Sequence, residues 1–150
     1  MKQVYLETIL LIERLHRRFL DVVKSELDRL KVEDINNVQT LILYNIGADQ
    51  LTVGELTNRG YYLGTNVSYN VKHLVQTGYL IQEKAPHDKR STRVRLSERG
   101  AALVQKMDAL IERNVSELDK RSPGLTFLVE ANKSMHNLER FWTEYMGRLY

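Results

Sequence analysis

The chain has 150 residues, 43% of them hydrophobic and 27% charged, with a formal net charge of +3 and no cysteine. This balance excludes a disordered chain, and the missing thiol excludes disulfides, thiolate metal sites, cysteine nucleophiles and cysteine-based peroxide sensing. Apolar runs such as Ile9 to Ile12 and Leu41 to Tyr44 fall short of the roughly 18 residues a membrane-spanning helix needs, and Glu7, Glu13 and Arg14 interrupt any signal-peptide core, so a cytoplasmic protein is expected.

From Val4 to about Leu30, apolar residues recur at helical spacing (Tyr5, Ile9, Ile12, Leu15, Phe19), with Arg14, Arg17, Arg18 and Asp21 between them, which predicts a long amphipathic helix. Asp34 is the expected N-cap of a second helix carrying Ile35, Val38, Leu41, Ile42 and Ile46, ended by Gly47. Thr52-Val53-Gly54-Glu55 is a capping-box pattern, in which hydroxyl and carboxylate each accept from the other residue's backbone N–H, and a short helix should follow to about Arg59. Gly60 and Gly64 bracket Tyr61, Tyr62 and Leu63, a turn signal before the next helix. Thr65 is placed to cap that helix, Val67, Val71, Leu74 and Val75 form its apolar face, and Gly78 stops it.

Beyond Gly78 the pattern turns to strand. Tyr79 to Lys84 and Thr92 to Leu96 read as a hairpin around a long tip, Ala85 to Ser91. Val94 and Leu96 alternate with Arg93 and Arg95, so one face packs inward and the other presents two guanidiniums. Ser97 is the expected cap of another long helix, with Leu103, Val104, Met107, Leu110, Ile111, Val115 and Leu118 in register to about Arg121. Ser122-Pro123 then reads as N-cap and first position of a last helix bearing Leu128, Met135, Leu138, Trp142, Tyr145 and Leu149.

The charge is unevenly placed. Between Thr52 and Arg95 stand Arg59, Lys72, Lys84, Lys89, Arg90, Arg93 and Arg95 against Glu55, Glu83 and Asp88, a local excess of +4 that leaves −1 for the remainder. An isolated basic loop reads as solvated surface. Behind a helical pair it reads as the wing of a winged helix-turn-helix. The fold class is therefore mainly α (α+β), a winged helix-turn-helix with long N- and C-terminal dimerisation helices. Residues 1–33 and 97–150 form the helical dimerisation region, and residues 34–96 the DNA-binding lobe. The three long amphipathic helices carry more apolar face than the small lobe can cover, which predicts a homodimer.

Four local patterns, in this order, resemble the MarR family of transcription regulators: Leu51-Thr52-Val53-Gly54-Glu55-Leu56, Leu74-Val75-Gln76-Thr77-Gly78-Tyr79-Leu80, Asp88-Lys89-Arg90-Ser91 and Leu96-Ser97-Glu98-Arg99-Gly100. The resemblance spans essentially the whole chain. It implies a dimeric, sequence-specific DNA-binding regulator, a repressor; from the residues themselves no cofactor and no metal are expected. It implies too that the first helix and the last two interlock across a twofold axis, through Leu6, Leu10, Leu138, Phe141, Trp142, Tyr145 and Leu149. A small aromatic or phenolic effector is implied in a crevice between the dimerisation helices and the lobe, where His16, Thr40, Tyr44 and Tyr61 are candidates. The second helix of the pair departs from the Ser-, Thr- and Arg-rich sequence common in the family.

On physical grounds a helix about 10 Å across fits the major groove, and its exposed polar side chains match base edges. The candidates are Thr65, Asn66, Ser68, Tyr69, Asn70, Lys72 and His73. Lys72 and the helix start near Thr65 suit phosphates, and either Asn66 or Asn70 suits adenine. In the wing, Arg90 is placed for the minor groove with Asp88 orienting its guanidinium, and Lys89, Arg93 and Arg95 are expected on phosphates. A twofold dimer would set the two reading helices about 34 Å apart, on an inverted-repeat operator.

An enzyme would need a convergent set of acid, base or nucleophile, whereas His16, His73, His87 and His136 are scattered and no glycine-rich phosphate loop is present. The other alternative is a winged-helix module for protein interaction, or an architectural DNA-binding one, without a small-molecule effector.

Overall fold

The computed structural model describes residues 1–60, 64–84, 92–121 and 124–148. Along the chain run α1 (Lys2–Leu30), α2 (Asn37–Ile46), β1 (Leu51–Thr52), α3 (Val53–Gly60), α4 (Gly64–Gln76), β2 (Leu80–Lys84), β3 (Thr92–Leu96), α5 (Glu98–Arg121) and α6 (Thr126–Gly147). The helices fall where hydrophobic period and caps predict them, with three differences at their starts. The N-cap of α2 is Asn36, not Asp34: its side chain accepts from Gln39 N, and the Gln39 side chain accepts from Asn36 N in return. Thr65 does not precede α4, which already contains Gly64. Ser122 and Pro123 lie outside the described residues, and α6 starts only at Thr126 with Leu125 as its N-cap.

The chain divides into two units, Met1–Leu110 and Ile111–Tyr150, so the divide falls inside α5. In the first unit, one core joins Val23 and Leu27 of α1, Ile42, Leu43 and Ile46 of α2, Leu56 of α3, Val67 and Leu74 of α4, and Leu103 and Met107 of α5. Burying each such side chain contributes about 2 kcal/mol. By contrast, Leu6, Leu10, Leu15 and Phe19 on the N-terminal part of α1 are exposed. In the second unit, α6 has no buried residue, and Phe127, Met135, Phe141 and Tyr145 are exposed along it.

A small antiparallel sheet with strand order β1-β3-β2 borders the first core. The hairpin pairs Leu80 with Leu96, Gln82 with Val94 and Lys84 with Thr92, while β1 adds Leu51 opposite Val94. Only two residues long, β1 has no periodicity for a sequence to reveal. Val94 is fully buried beneath its neighbours on both sides.

The end of α4 is fixed by a knot of contacts around Tyr79. Gly78, at φ 78°, lets the Gly78 and Tyr79 amides fold back onto the Val75 and Leu74 carbonyls, the Schellman arrangement that left-handed glycine permits. The Tyr79 carbonyl then accepts from Ser97 N, and Ser97 Oγ donates to the Gly78 carbonyl and caps Gly100 N. The Tyr79 hydroxyl donates to Asp34, which also receives the Arg99 guanidinium at 2.7 Å. Arg99 in turn donates to the Thr77 carbonyl and stacks 4.2 Å above the Tyr79 ring. Burial first, and the Asp34 carboxylate second, push the Tyr79 hydroxyl above its ordinary pKa.

At Gly100 an added Cβ would land on the Tyr79 carbonyl oxygen, a backbone atom that cannot rotate away. Gly100→Ala is therefore expected to lower unfolding stability by about 2 kcal/mol, the usual scale for forced overpacking. A denaturant midpoint equal to that of the parent chain would contradict the close approach.

Candidate nucleic-acid interface

The helix-turn-helix is built by α3 and α4. Its first helix opens on the expected capping box: Glu55 accepts from Thr52 N at 2.7 Å, and Thr52 Oγ1 accepts from Glu55 N at 3.1 Å. Its other end is tied by Arg59, which donates to Asp49 at 2.6 Å and to the Asn45 carbonyl. The buried face of α4 consists of Val67, Val71 and Leu74. With about 100° between successive residues, the opposite face is a stripe of Ser68, Tyr69, Lys72 and Gln76, all exposed, with exposed Asn66 near the helix start. Lys72 makes no ion pair among the described residues.

The sequence candidates on α4 divide by environment. Asn70 is half-buried and its carboxamide is engaged at both ends: its oxygen accepts from Gln39 Nε2 at 3.0 Å, and its nitrogen donates to the Asn66 carbonyl at 2.8 Å. Of the two asparagines offered for adenine, Asn66 has the outward position and Asn70 ties α4 to α2. His73 is also half-buried, with Nδ1 enclosed and without a partner among the described residues. Thr65 lies within α4. Gln76, absent from the sequence candidates, stands one turn beyond Lys72 on the outward stripe, and the i, i+4 spacing from Ser68 through Lys72 is the signal that finds it.

In the hairpin, Arg95 is exposed but held by Glu83 across the ladder, at 2.8 and 3.2 Å, and Gln50 donates to the same carboxylate. Arg93 is half-buried, and its Nε is enclosed without a partner. Of the two guanidiniums expected on the face opposite Val94 and Leu96, Arg95 is exposed but paired with Glu83, and Arg93 sits partly inside. Asp88, Lys89 and Arg90 lie outside the described residues.

A cavity of about 670 Å³ opens beside the hairpin, lined among others by Tyr44, Asp49, Arg95, Leu96, Val104 and Asp108, a size that suits a small molecule. A hydrogen bond to the Asp108 carboxylate, followed by burial, raises the Tyr44 hydroxyl pKa. Of the effector candidates among the described residues, Tyr44 alone lines this cavity. Thr40 is buried, with its hydroxyl donated to the Asn36 carbonyl; His16 is exposed on α1; Tyr61 lies outside the described residues. Among the dimer candidates, Leu6, Leu10, Phe141 and Tyr145 are exposed, Leu138 and Trp142 are half-buried, and Leu149 lies outside the described residues. No metal-binding cluster of His, Asp or Glu is found among the described residues.

A helix-turn-helix with a three-stranded wing sheet between long flanking helices defines a winged-helix regulator, and the comparisons agree. A family model described as MarR family matches residues 33–91. A curated relative, the exopolysaccharide II synthesis transcriptional activator ExpG of Rhizobium meliloti (strain 1021), is 37% identical over 138 residues, covering 92% of this chain and 71% of the relative. Streptococcus pneumoniae FabT in complex with DNA superimposes with a TM-score of 0.75 at 16% identity, over 93% of this chain and 98% of that one. Staphylococcus aureus MarR in complex with salicylate and kanamycin gives 0.76 at 17%, over 95% and 94%. A mutant Escherichia coli MarR complexed with operator DNA gives 0.70 at 21%, over 85% and 90%. The chain belongs to the MarR family: it is a DNA-binding transcription regulator and not an enzyme.

The capping box supplies a test of how the first helix is held. The bond from the Thr52 backbone N–H keeps the Glu55 carboxyl below its ordinary pKa. A depressed carboxyl adds stability above its unfolded pKa, and that addition is lost as pH falls through the lower folded value. Glu55→Gln keeps an acceptor but does not titrate. The parent's Tm advantage over this variant should narrow as the pH drops from neutral to below about 4, the ordinary carboxyl range; a gap independent of pH would contradict the assignment.

Proposed function

We propose that the protein acts as a homodimer that inserts two copies of α4 into successive major grooves of an inverted-repeat operator. The observation that carries this reading is the outward stripe of α4, where Lys72 is left unpaired among the described residues while neighbouring Asn70 and His73 are turned to the protein. The uncovered apolar residues of α1, and an α6 without any buried residue, support pairing with a second copy. Leu6, Leu10, Leu138, Phe141, Trp142, Tyr145 and Leu149 are the proposed contacts. Arg93 at the base of the wing suits a phosphate, and Asp88, Lys89 and Arg90 at its tip suit the minor groove. Arg95 reaches DNA only by leaving Glu83.

The cavity lined by Tyr44 is the proposed seat of a small effector. An occupant shifts DNA affinity only by the difference between its affinities for the two states of the lobe. Work on DNA implies a cytoplasmic protein, and no helix among the described residues is long and apolar enough to cross a membrane. The relative of 37% identity is named an activator, which favours activation over the repression expected from the sequence.

Binding to duplex DNA should weaken linearly in log salt, and Lys72→Ala should reduce the slope by about 1 per subunit, or about 2 for a dimer. Titrations at several salt concentrations measure it. Retention with an unchanged slope and affinity would remove α4 from the interface.

A further inference from the structure

We propose that Tyr69 is a specificity-determining residue that packs its ring against the C5 methyl of a thymine in each half-site. This rests on the reading above, in which α4 enters the major groove. Tyr69 is 70% exposed, and among the large hydrophobic side chains of the described residues only Met1, at 98%, is more so. It stands on the outward stripe, opposite the buried Val67, Val71 and Leu74, and in the N-terminal half of α4, the part of a recognition helix that meets base edges.

The surroundings of Tyr69 narrow its role. Asn66 lies one turn before it and Lys72 one turn after it, so hydrogen-bonding and charged groups flank the ring on both sides. Those neighbours match the donors, acceptors and phosphates of the groove. A phenol ring entering the same space loses its water and needs an apolar partner. In the major groove the only apolar group on any base edge is the thymine methyl. Two other candidates for bases close to Tyr69, Asn70 and His73, are turned inward by Gln39 and by burial. The ring is thus the largest side chain left to read sequence on this helix.

Uracil differs from thymine only by that methyl, which gives a direct test. A duplex of roughly 30 base pairs is selected from a randomised library by the purified full-length protein, long enough for two half-sites one turn apart. Each dT in it is then replaced singly by dU. At one position in each half-site the parent protein should lose about fourfold in affinity, the scale of one buried methyl. Tyr69→Phe should keep that sensitivity. Tyr69→Ala should bind the unmodified duplex at least fourfold more weakly, respond to no dU substitution, and unfold at the parent temperature because the side chain is exposed.

Indifference of the parent protein to every dU would overturn the assignment of Tyr69 while leaving DNA binding by α4 intact. A dU effect that persists in Tyr69→Ala would give the methyl to another side chain and overturn the assignment equally. Failure to select any sequence would overturn the operator reading itself, and the Tyr69 assignment with it.

Discussion

The Tyr79 carbonyl can approach α5 only because Gly100 has no side chain there, and the position of the recognition helix depends on that contact. Three parts of the chain meet at this point. The end of α4 folds back through Gly78 and Tyr79, the start of α5 bonds to it through Ser97 and Arg99, and Asp34 from the α1–α2 connection receives both Arg99 and the Tyr79 hydroxyl. Earlier along α4, Asn70 is bonded to Gln39, which also completes the N-cap of α2. The helix is held at two points by hydrogen bonds, several of them charge-assisted, and such bonds lose much more when one partner is left unsatisfied in a buried place than they contribute net. A rigid α4 has a functional consequence: side chains spent on anchoring are withdrawn from reading, and those left outside are presented in a fixed row.

The sequence made the local parts of this legible and hid the distant ones. Thr52 and Glu55 cap each other across three residues, and Ser97 Oγ accepts from Gly100 N across the same spacing, so spacing alone locates both helix starts. Gly78 marks the stop of α4 because a left-handed residue is needed there. Asp34 misleads for the opposite reason. It has the right chemistry for an N-cap, but its partners are Tyr79 and Arg99, far along the chain, while Asn36 and Gln39 form the box that spacing also allows. Asn70 and Arg95 read as free polar residues until Gln39 and Glu83 are brought beside them. Gln76 required no tertiary information, only one further helical turn.

The cavity shares side chains with ion pairs of the wing strands and of the helix-turn-helix. Arg95 lines the cavity and also crosses the ladder to Glu83, while Asp49 lines it and holds Arg59 at the end of α3. Two acids, Asp49 and Asp108, and one guanidinium, Arg95, are among its lining residues. A molecule bound to Arg95 would compete with Glu83, and one bound to Asp49 with Arg59, so the effector proposed above would act on the wing strands or on the helix-turn-helix through a pair already in place. Such exchanges are small in energy where the groups are exposed, which suits adjustment of affinity more than disassembly of the lobe.

The central claim is that two copies of α4 lie in neighbouring major grooves of one site. A hydroxyl-radical footprint of the full-length protein on a duplex that it selects measures this directly. Two protected tracts related by a dyad, their centres about one helical turn or 10 base pairs apart, are predicted. A single tract, or uniform weak protection without a dyad, would contradict the account.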